Sequence, residues 1–95
     1  MIKIINLTSS WQAYTASGPE IVHVRIGTED AADGVVSVRL YSTTDAITEG
    51  YLDDKVIPVN DGLDLGQFDL ISGDKIEFTS SANDDVNAII SVTPK

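Results

Sequence analysis

His23 is the first residue to test for chemistry, because it is the one imidazole in the chain and serines and aspartates are common elsewhere in the sequence. A Ser-His-Asp triad needs an exposed nucleophilic serine, yet no G-x-S-x-G pattern is present around any serine. His23 also lies between Val22 and Val24 in a run that alternates like a strand. We therefore interpret it as a surface or interface histidine and expect neither a catalytic residue nor an enzyme.

Adjacent carboxylates are the next candidates, since paired acids can share acid and base catalysis. They occur at Asp53 and Asp54 and again at Asp84 and Asp85. Neighbouring residues of an extended strand face opposite sides, so neither pair would act together on one substrate. We interpret both pairs as solvated turn residues.

Two oxygen-rich segments offer ligands for a hard cation such as calcium. Their residues are Glu29, Asp30 and Asp33 in one segment and Asn60, Asp61 and Asp64 in the other. Neither has the spacing of an EF-hand loop, and the absence of cysteine excludes thiolate metal sites. We therefore expect no metal ion and no cofactor.

Trp11 and Tyr14 are close enough in sequence to form an aromatic platform for a sugar ring. A small β-sandwich also needs large side chains as core anchors. We favour core or subunit contact for both residues, and a glycan-binding surface is the alternative.

The elements that would hold these side chains are short strands, because apolar and polar residues alternate along much of the chain. The inward positions are predicted at Val22, Val24, Ile26, Val36, Val38, Leu40, Ile76, Phe78, Val86, Ala88, Ile90 and Val92. Clusters of Gly, Asp, Asn and Ser separate the runs as turns. About eight strands at this spacing predict one all-β domain over residues 1–95, an antiparallel β-sandwich or jelly-roll-like fold.

Strand parity also predicts local features. Leu63 and Leu65 are odd-numbered whereas Phe68 and Leu70 are even-numbered, so a bulge at residue 66 or 67 is needed to keep one inward face. Residues 42–50 are either a short helical turn or an irregular crossover. The strand within residues 51–59 is predicted near a sheet edge, because Pro58 cannot donate to a ladder.

Residues 21–27 and 35–41 are predicted to pair as a hairpin, with Val24 opposite Val38 inside and His23 beside Arg39 outside. The outer face of this hairpin would combine apolar side chains with arginines, and a monomer rarely exposes such a patch without a partner. The candidate interface residues are Ile21, His23, Arg25, Val35, Arg39 and Tyr41.

Composition narrows the class of partner. The chain has six basic and 15 acidic residues and a net charge of -9, so it lacks the cations that bind nucleic-acid phosphates. No apolar run reaches the roughly 18 residues that span a bilayer, and we see no signal peptide at the start. We expect a soluble protein that docks on a neutral or basic protein surface.

Two segments carry a resemblance to a known class of protein. They are NLTSSWQAYTA at residues 6–16, followed by the strand IVHVRI, and LGQFDLISGDKI at residues 65–76, followed by the residues SSA at 80–82. Both are similar to small virion structural proteins of tailed bacteriophages. The resemblance implies a non-enzymatic particle component that is assembled in the host cytoplasm and located in the virion.

The resemblance points first to a capsid decoration (cement) protein, bound to the outer face of the shell formed by the major capsid protein. It implies a homo-oligomer, with a trimer favoured, and no nucleic-acid or membrane contact. A tail or head-to-tail accessory protein is the alternative within the same class, and a small glycan-binding module is the alternative from a different class.

Overall fold

The alternating runs form strands in the structure, a computed structural model that describes residues 1–28, 33–59, 61–80 and 86–95. The strands are β1 (Ile2–Asn6), β2 (Gln12–Thr15), β3 (Glu20–Thr28), β4 (Gly34–Ser42), β5 (Ile47–Ile57), β6 (Gly62–Leu70), β7 (Lys75–Ser80) and β8 (Val86–Pro94). The described residues contain no helix, so the all-β prediction is confirmed.

The eight strands form two antiparallel sheets of four strands each. The first sheet has the order β1-β8-β3-β6, and the second sheet has the order β2-β7-β4-β5. The strand pairs within the two sheets are nested in sequence, since β4 pairs with β5, β3 with β6, β2 with β7, and β1 with β8. A long antiparallel ribbon that folds over on itself gives this order, which is that of a jelly roll. The predicted β-sandwich is therefore confirmed.

The inner faces of the two sheets share one core. Phe78 and Ile76 of the second sheet and Val24 and Ile90 of the first sheet are completely buried in it. Burying a side chain of this size contributes about 1.5–3 kcal/mol to folding, so this layer holds the sheets together. The predicted inward positions all lie in or against this core.

The predicted hairpin between residues 21–27 and 35–41 is wrong. β3 pairs with β6 and β8, whereas β4 pairs with β5 and β7, so the two strands belong to different sheets. Val24 and Val38 are both buried, but in opposite sheets. An alternating strand buries the same residues whether its neighbour pairs beside it or faces it across the core, and parity does not distinguish the two.

The predicted bulge lies in β6. Val24 is opposite Gly66 and Arg25 is opposite Asp64, so Leu65 is the extra residue. Gly66 has a φ of 85°, a left-handed conformation that favours glycine and is typical of such bulges. The bulge lets Leu63, Leu65 and the later residues of β6 pack against one core.

The segment at residues 42–50 is neither a helical turn nor a crossover. Residues 43–46 form a turn that joins β4 directly to β5. Ser42 Oγ accepts a hydrogen bond from the Asp45 N–H at 3.3 Å, and Ala46 has a φ of 54°. The resulting hairpin makes β5 an edge strand of the second sheet, as Pro58 predicts.

Candidate functional site

The six candidate interface residues lie on two separate surfaces. Ile21, His23 and Arg25 belong to β3 on the outer face of the first sheet, and Val35, Arg39 and Tyr41 belong to β4 on the outer face of the second. The patch expected from the hairpin therefore does not exist, because the core separates its two halves. Each outer face has to be considered by itself.

On the outer face of the first sheet, Asp64 contacts two basic side chains. His23 Nε2 lies 2.7 Å and Arg25 Nε lies 3.6 Å from its carboxylate oxygens. The Gly66 N–H donates to the same carboxylate at 2.8 Å, and this bond together with that of His23 lowers the pKa of Asp64. The bulge of β6 thus holds a charged group on the outer face of the first sheet, at its β6 edge.

Ser91 is the cross-strand neighbour of His23, since the two residues are opposite each other in the β3–β8 register. His23 and its two neighbours on this face, Ser91 and Asp64, therefore provide the residue types of a Ser-His-Asp triad. Within the described part of the chain, Ser91 makes no hydrogen bond to the imidazole, although this bond is what activates a serine in a triad. The interpretation of His23 as a surface or interface residue stays a prediction.

On the outer face of the second sheet, Arg39 has two partners. Its Nε donates to Glu77 Oε1 at 2.9 Å, and its guanidinium carbon lies 4.0 Å from the centre of the Trp11 ring. Arg39 and Glu77 are opposite each other in the β4–β7 register, while Trp11 immediately precedes β2. Cation–π contact and the ion pair together fix the arginine against the sheet.

A shallow hollow of about 510 Å³ lies beside this arginine. Its polar lining comes from Ser37, Thr48 and Asp53, and Gly50 leaves the backbone of β5 bare. Trp11 lines one side and is 40% exposed, so it is not a core residue and its subunit contact stays a prediction, whereas Tyr14 is in the core. Aromatic and polar groups that converge in this way are the kind of lining that a sugar ring contacts.

The carboxylates considered for calcium have partners inside the protein. Asp33 Oδ1 accepts the Val59 N–H at 2.9 Å, and Asp61 Oδ1 accepts the Gly62 N–H at 2.8 Å. Glu29, Asp30 and Asn60 lie outside the described residues, as do Asp84 and Asp85. Among the described residues, no three His, Asp or Glu side chains are grouped as metal ligands.

Two features of these surfaces escape the sequence analysis. Trp11 and Glu77 join Arg39 only through the sheet order, so no spacing in the chain could indicate the contact. The exposure of Ile2 and Ile4 could have been found, because Ile5 and Leu7 carry the inward parity of β1 and the two earlier isoleucines do not.

Both faces thus carry shallow hollows and no deep cleft in the described part of the chain. The described residues include no helix that could cross a membrane. Comparison of the chain with protein-family models, with curated proteins and with solved structures finds no match.

Proposed function

We propose that the chain is a structural protein of a tailed bacteriophage particle, bound as a decoration protein to the outer face of the major capsid protein shell. The observation that carries the proposal is the strand order of the jelly roll, an architecture used by viral capsid domains as well as by lectins and cupins. The shared architecture supports the proposal by analogy. The resemblance of the two chain ends to virion proteins is the second support.

The outer face of the first sheet is the better docking surface of the two. Arg25 is 68% exposed there, and its nearest carboxylate is 3.6 Å away, whereas Arg39 on the other face is held by Glu77 and Trp11. Ile89 is the cross-strand neighbour of Arg25 and is also exposed. An apolar contact with an exposed guanidinium at its rim fits a protein surface that offers a carboxylate.

Co-sedimentation of the purified chain with undecorated capsids of the parent phage tests this function. We expect the unchanged chain to sediment with the capsids and Arg25→Glu to lose most of this binding. Lys55→Glu is the matched control, because it makes the same charge change on an exposed residue of β5 and should still bind. A chain that never sediments with capsids, or an Arg25→Glu variant that binds like the control, would contradict the proposal.

A glycan-binding module is the second candidate, and the hollow beside Trp11 and Arg39 is the observation that favours it. Trp11 is the single tryptophan of the chain, so its fluorescence reports directly on a sugar in the hollow. A saturable change with one class of oligosaccharide, lost in Asp53→Ala and kept in Tyr51→Ala, would favour this candidate, because Asp53→Ala removes a polar group of the lining and keeps the fluorophore. Tyr51 is an exposed aromatic residue that contacts Phe68 instead. The decoration proposal predicts no saturable change.

A further inference from the structure

The four edge strands of the two sheets differ in how well they are protected from pairing with another chain. β5 has two register shifts and a residue at positive φ, Asp54, and β6 carries the bulge at Gly66. β2 has only four residues. Bulges, short length, proline and charged side chains are the usual protections of an edge. β1 has an unbroken register with β8 over its five residues and contains no proline, so Lys3 is its one protecting residue.

The free backbone groups of β1 can be assigned from its hydrogen bonds. The Val92 N–H donates to the Met1 carbonyl at 2.7 Å, and the Leu7 N–H donates to the Val86 carbonyl at 2.9 Å. Bonding directions alternate along an antiparallel strand, so odd-numbered residues bond to β8. The N–H and C=O groups of Ile2, Ile4 and Asn6 therefore point away from β8, to the open edge of the sheet.

Three isoleucines of β1 and β8 are exposed on the outer face of the first sheet, beside the open edge: Ile2, Ile4 and Ile89. Ile2 and Ile4 are 68% and 64% exposed, and Ile4 is opposite Ile89 in the β1–β8 register. Neither strand contains an acidic residue, although the chain as a whole has a net charge of -9. Two copies of this acidic protein thus meet the least charge repulsion where β1 faces β1.

We propose that β1 pairs in antiparallel register with β1 of a second copy, about a two-fold axis at Ile4. Ile4 would then be opposite Ile4 of the second copy, Ile2 opposite its Asn6, and Lys3 opposite its Ile5. All free groups of the strand find partners in this register. A register centred on Lys3 would place two lysines directly opposite each other, which destabilises a strand pair.

The contact joins the two first sheets into one sheet of the order β6-β3-β8-β1-β1-β8-β3-β6. Ile89 and Ile4 of both copies then form a continuous apolar row across the axis. The axis is two-fold, so the assembly closes as a dimer, unlike the trimer that the resemblance to virion proteins implies. The dimer does not depend on the proposed function, because it forms from the purified chain alone.

Sedimentation equilibrium of the full chain tests the assembly. We expect a concentration-dependent dimer, and we expect Ile4→Lys to be a folded monomer because it places two ammonium groups at the axis. Ile71→Lys makes the same change at an exposed isoleucine outside β1 and β8 and should dimerise like the unchanged chain. Thermal unfolding shows whether both variants fold. A wild-type monomer or trimer, or an Ile4→Lys variant that dimerises like the control, would overturn the proposal.

Disulfide formation tests the register. The chain has no cysteine, so Ile4→Cys and Ile2→Cys each introduce one thiol at positions of similar exposure. Opposite residues have Cα atoms about 4.5–5.5 Å apart, which a disulfide can join. Only residue 4 is opposite itself, so Ile4→Cys should form the linked dimer faster than Ile2→Cys under mild oxidation. Equal rates, or a faster reaction of Ile2→Cys, would overturn the two-fold axis at Ile4.

Discussion

The Tyr14 hydroxyl donates a hydrogen bond to Glu20 Oε1, and both side chains are buried. Tyr14 belongs to β2 of the second sheet and Glu20 to β3 of the first, so this bond joins the two sheets at one corner of the sandwich. Burial and the bond to Glu20 raise the pKa of Tyr14 to about 12. A buried acidic residue is stabilised here by a donor from the opposite layer.

Tyr14→Phe should lower the free energy of unfolding by about 1–3 kcal/mol at neutral pH, because it leaves the Glu20 carboxyl buried without its donor. Glu20→Gln should cost less, since an amide oxygen still accepts the bond. Chemical denaturation of both variants measures the difference. If the two substitutions cost the same, the hydrogen bond is not what stabilises this corner.

The same pair predicts a loss of stability in alkali. The folded protein binds the phenolic proton more tightly than the unfolded chain, whose tyrosine has a pKa of about 10. The stabilisation is therefore complete below about pH 10 and is lost as the pH rises towards 12. Tyr14→Phe should lack this loss, and unfolding free energies measured over this pH range would show it.

Asp74 predicts a loss of stability in acid. Desolvation raises the pKa of its carboxyl, but hydrogen bonds from the Thr43 N–H, the Thr43 hydroxyl and the Ile71 N–H outweigh this effect and lower the pKa. The stabilisation is present above the ordinary pKa of 3.8 and is lost as the pH falls through the lower folded-state pKa. Asp74→Asn should be less stable than the parent at neutral pH and should approach it near pH 2.

Asp53→Asn is the control for that experiment, because it removes the same charge from an exposed position of β5. It should leave both the neutral stability and the acid loss of the parent unchanged. An Asp74→Asn variant with the same acid profile as Asp53→Asn would show that the bonds to Thr43 do not stabilise the folded state.

Gly66→Ala should destabilise the fold by about 1–2 kcal/mol, the cost of a left-handed conformation for a residue with a Cβ. An added Cβ would meet no atom within 4 Å at Gly66, so the cost comes from the backbone and not from a clash. Gly50→Ala has the same open surroundings without a positive φ and should stay within about 0.5 kcal/mol of the parent. Equal effects in thermal unfolding would contradict the role given to the bulge.

Two isoleucines test the assignment of the core. Ile76 is fully buried, and Ile71 is 48% exposed in the turn that follows β6. Ile76→Ala should cost about 2–5 kcal/mol, whereas Ile71→Ala should cost no more than about 0.5 kcal/mol. Similar losses in urea denaturation would show that the assigned inner faces are wrong.

Parity in the sequence predicts which residues are buried but not which strands are neighbours. The mismatch between Leu63 and Leu65 on one side and Phe68 and Leu70 on the other predicts a bulge, because only an extra residue can return them to one face. The pairing of β3 with β8 and of β4 with β7 depends on contacts between distant parts of the chain. Local alternation contains no information about these contacts.

The same distinction applies to the candidate surfaces. Glu20 has the parity of Val22 and Val24, so its burial could be predicted, whereas its partner Tyr14 depends on how the two sheets pack. The contact of His23 with Asp64 likewise requires the β3–β6 register and the bulge within it. Chemistry that depends on sheet order therefore needs the structure.

The nested order of the strand pairs also sets an order of folding. Residues 43–46 close the β4–β5 hairpin locally, whereas nearly the whole chain separates β1 from β8 in the sequence. The entropic cost of closing a loop grows with its length, so we expect β4 and β5 to meet early and β1 to dock last. Until it docks, β8 offers a vacant place for β1 of any copy, and strand exchange during folding becomes a kinetic route to intertwined chains.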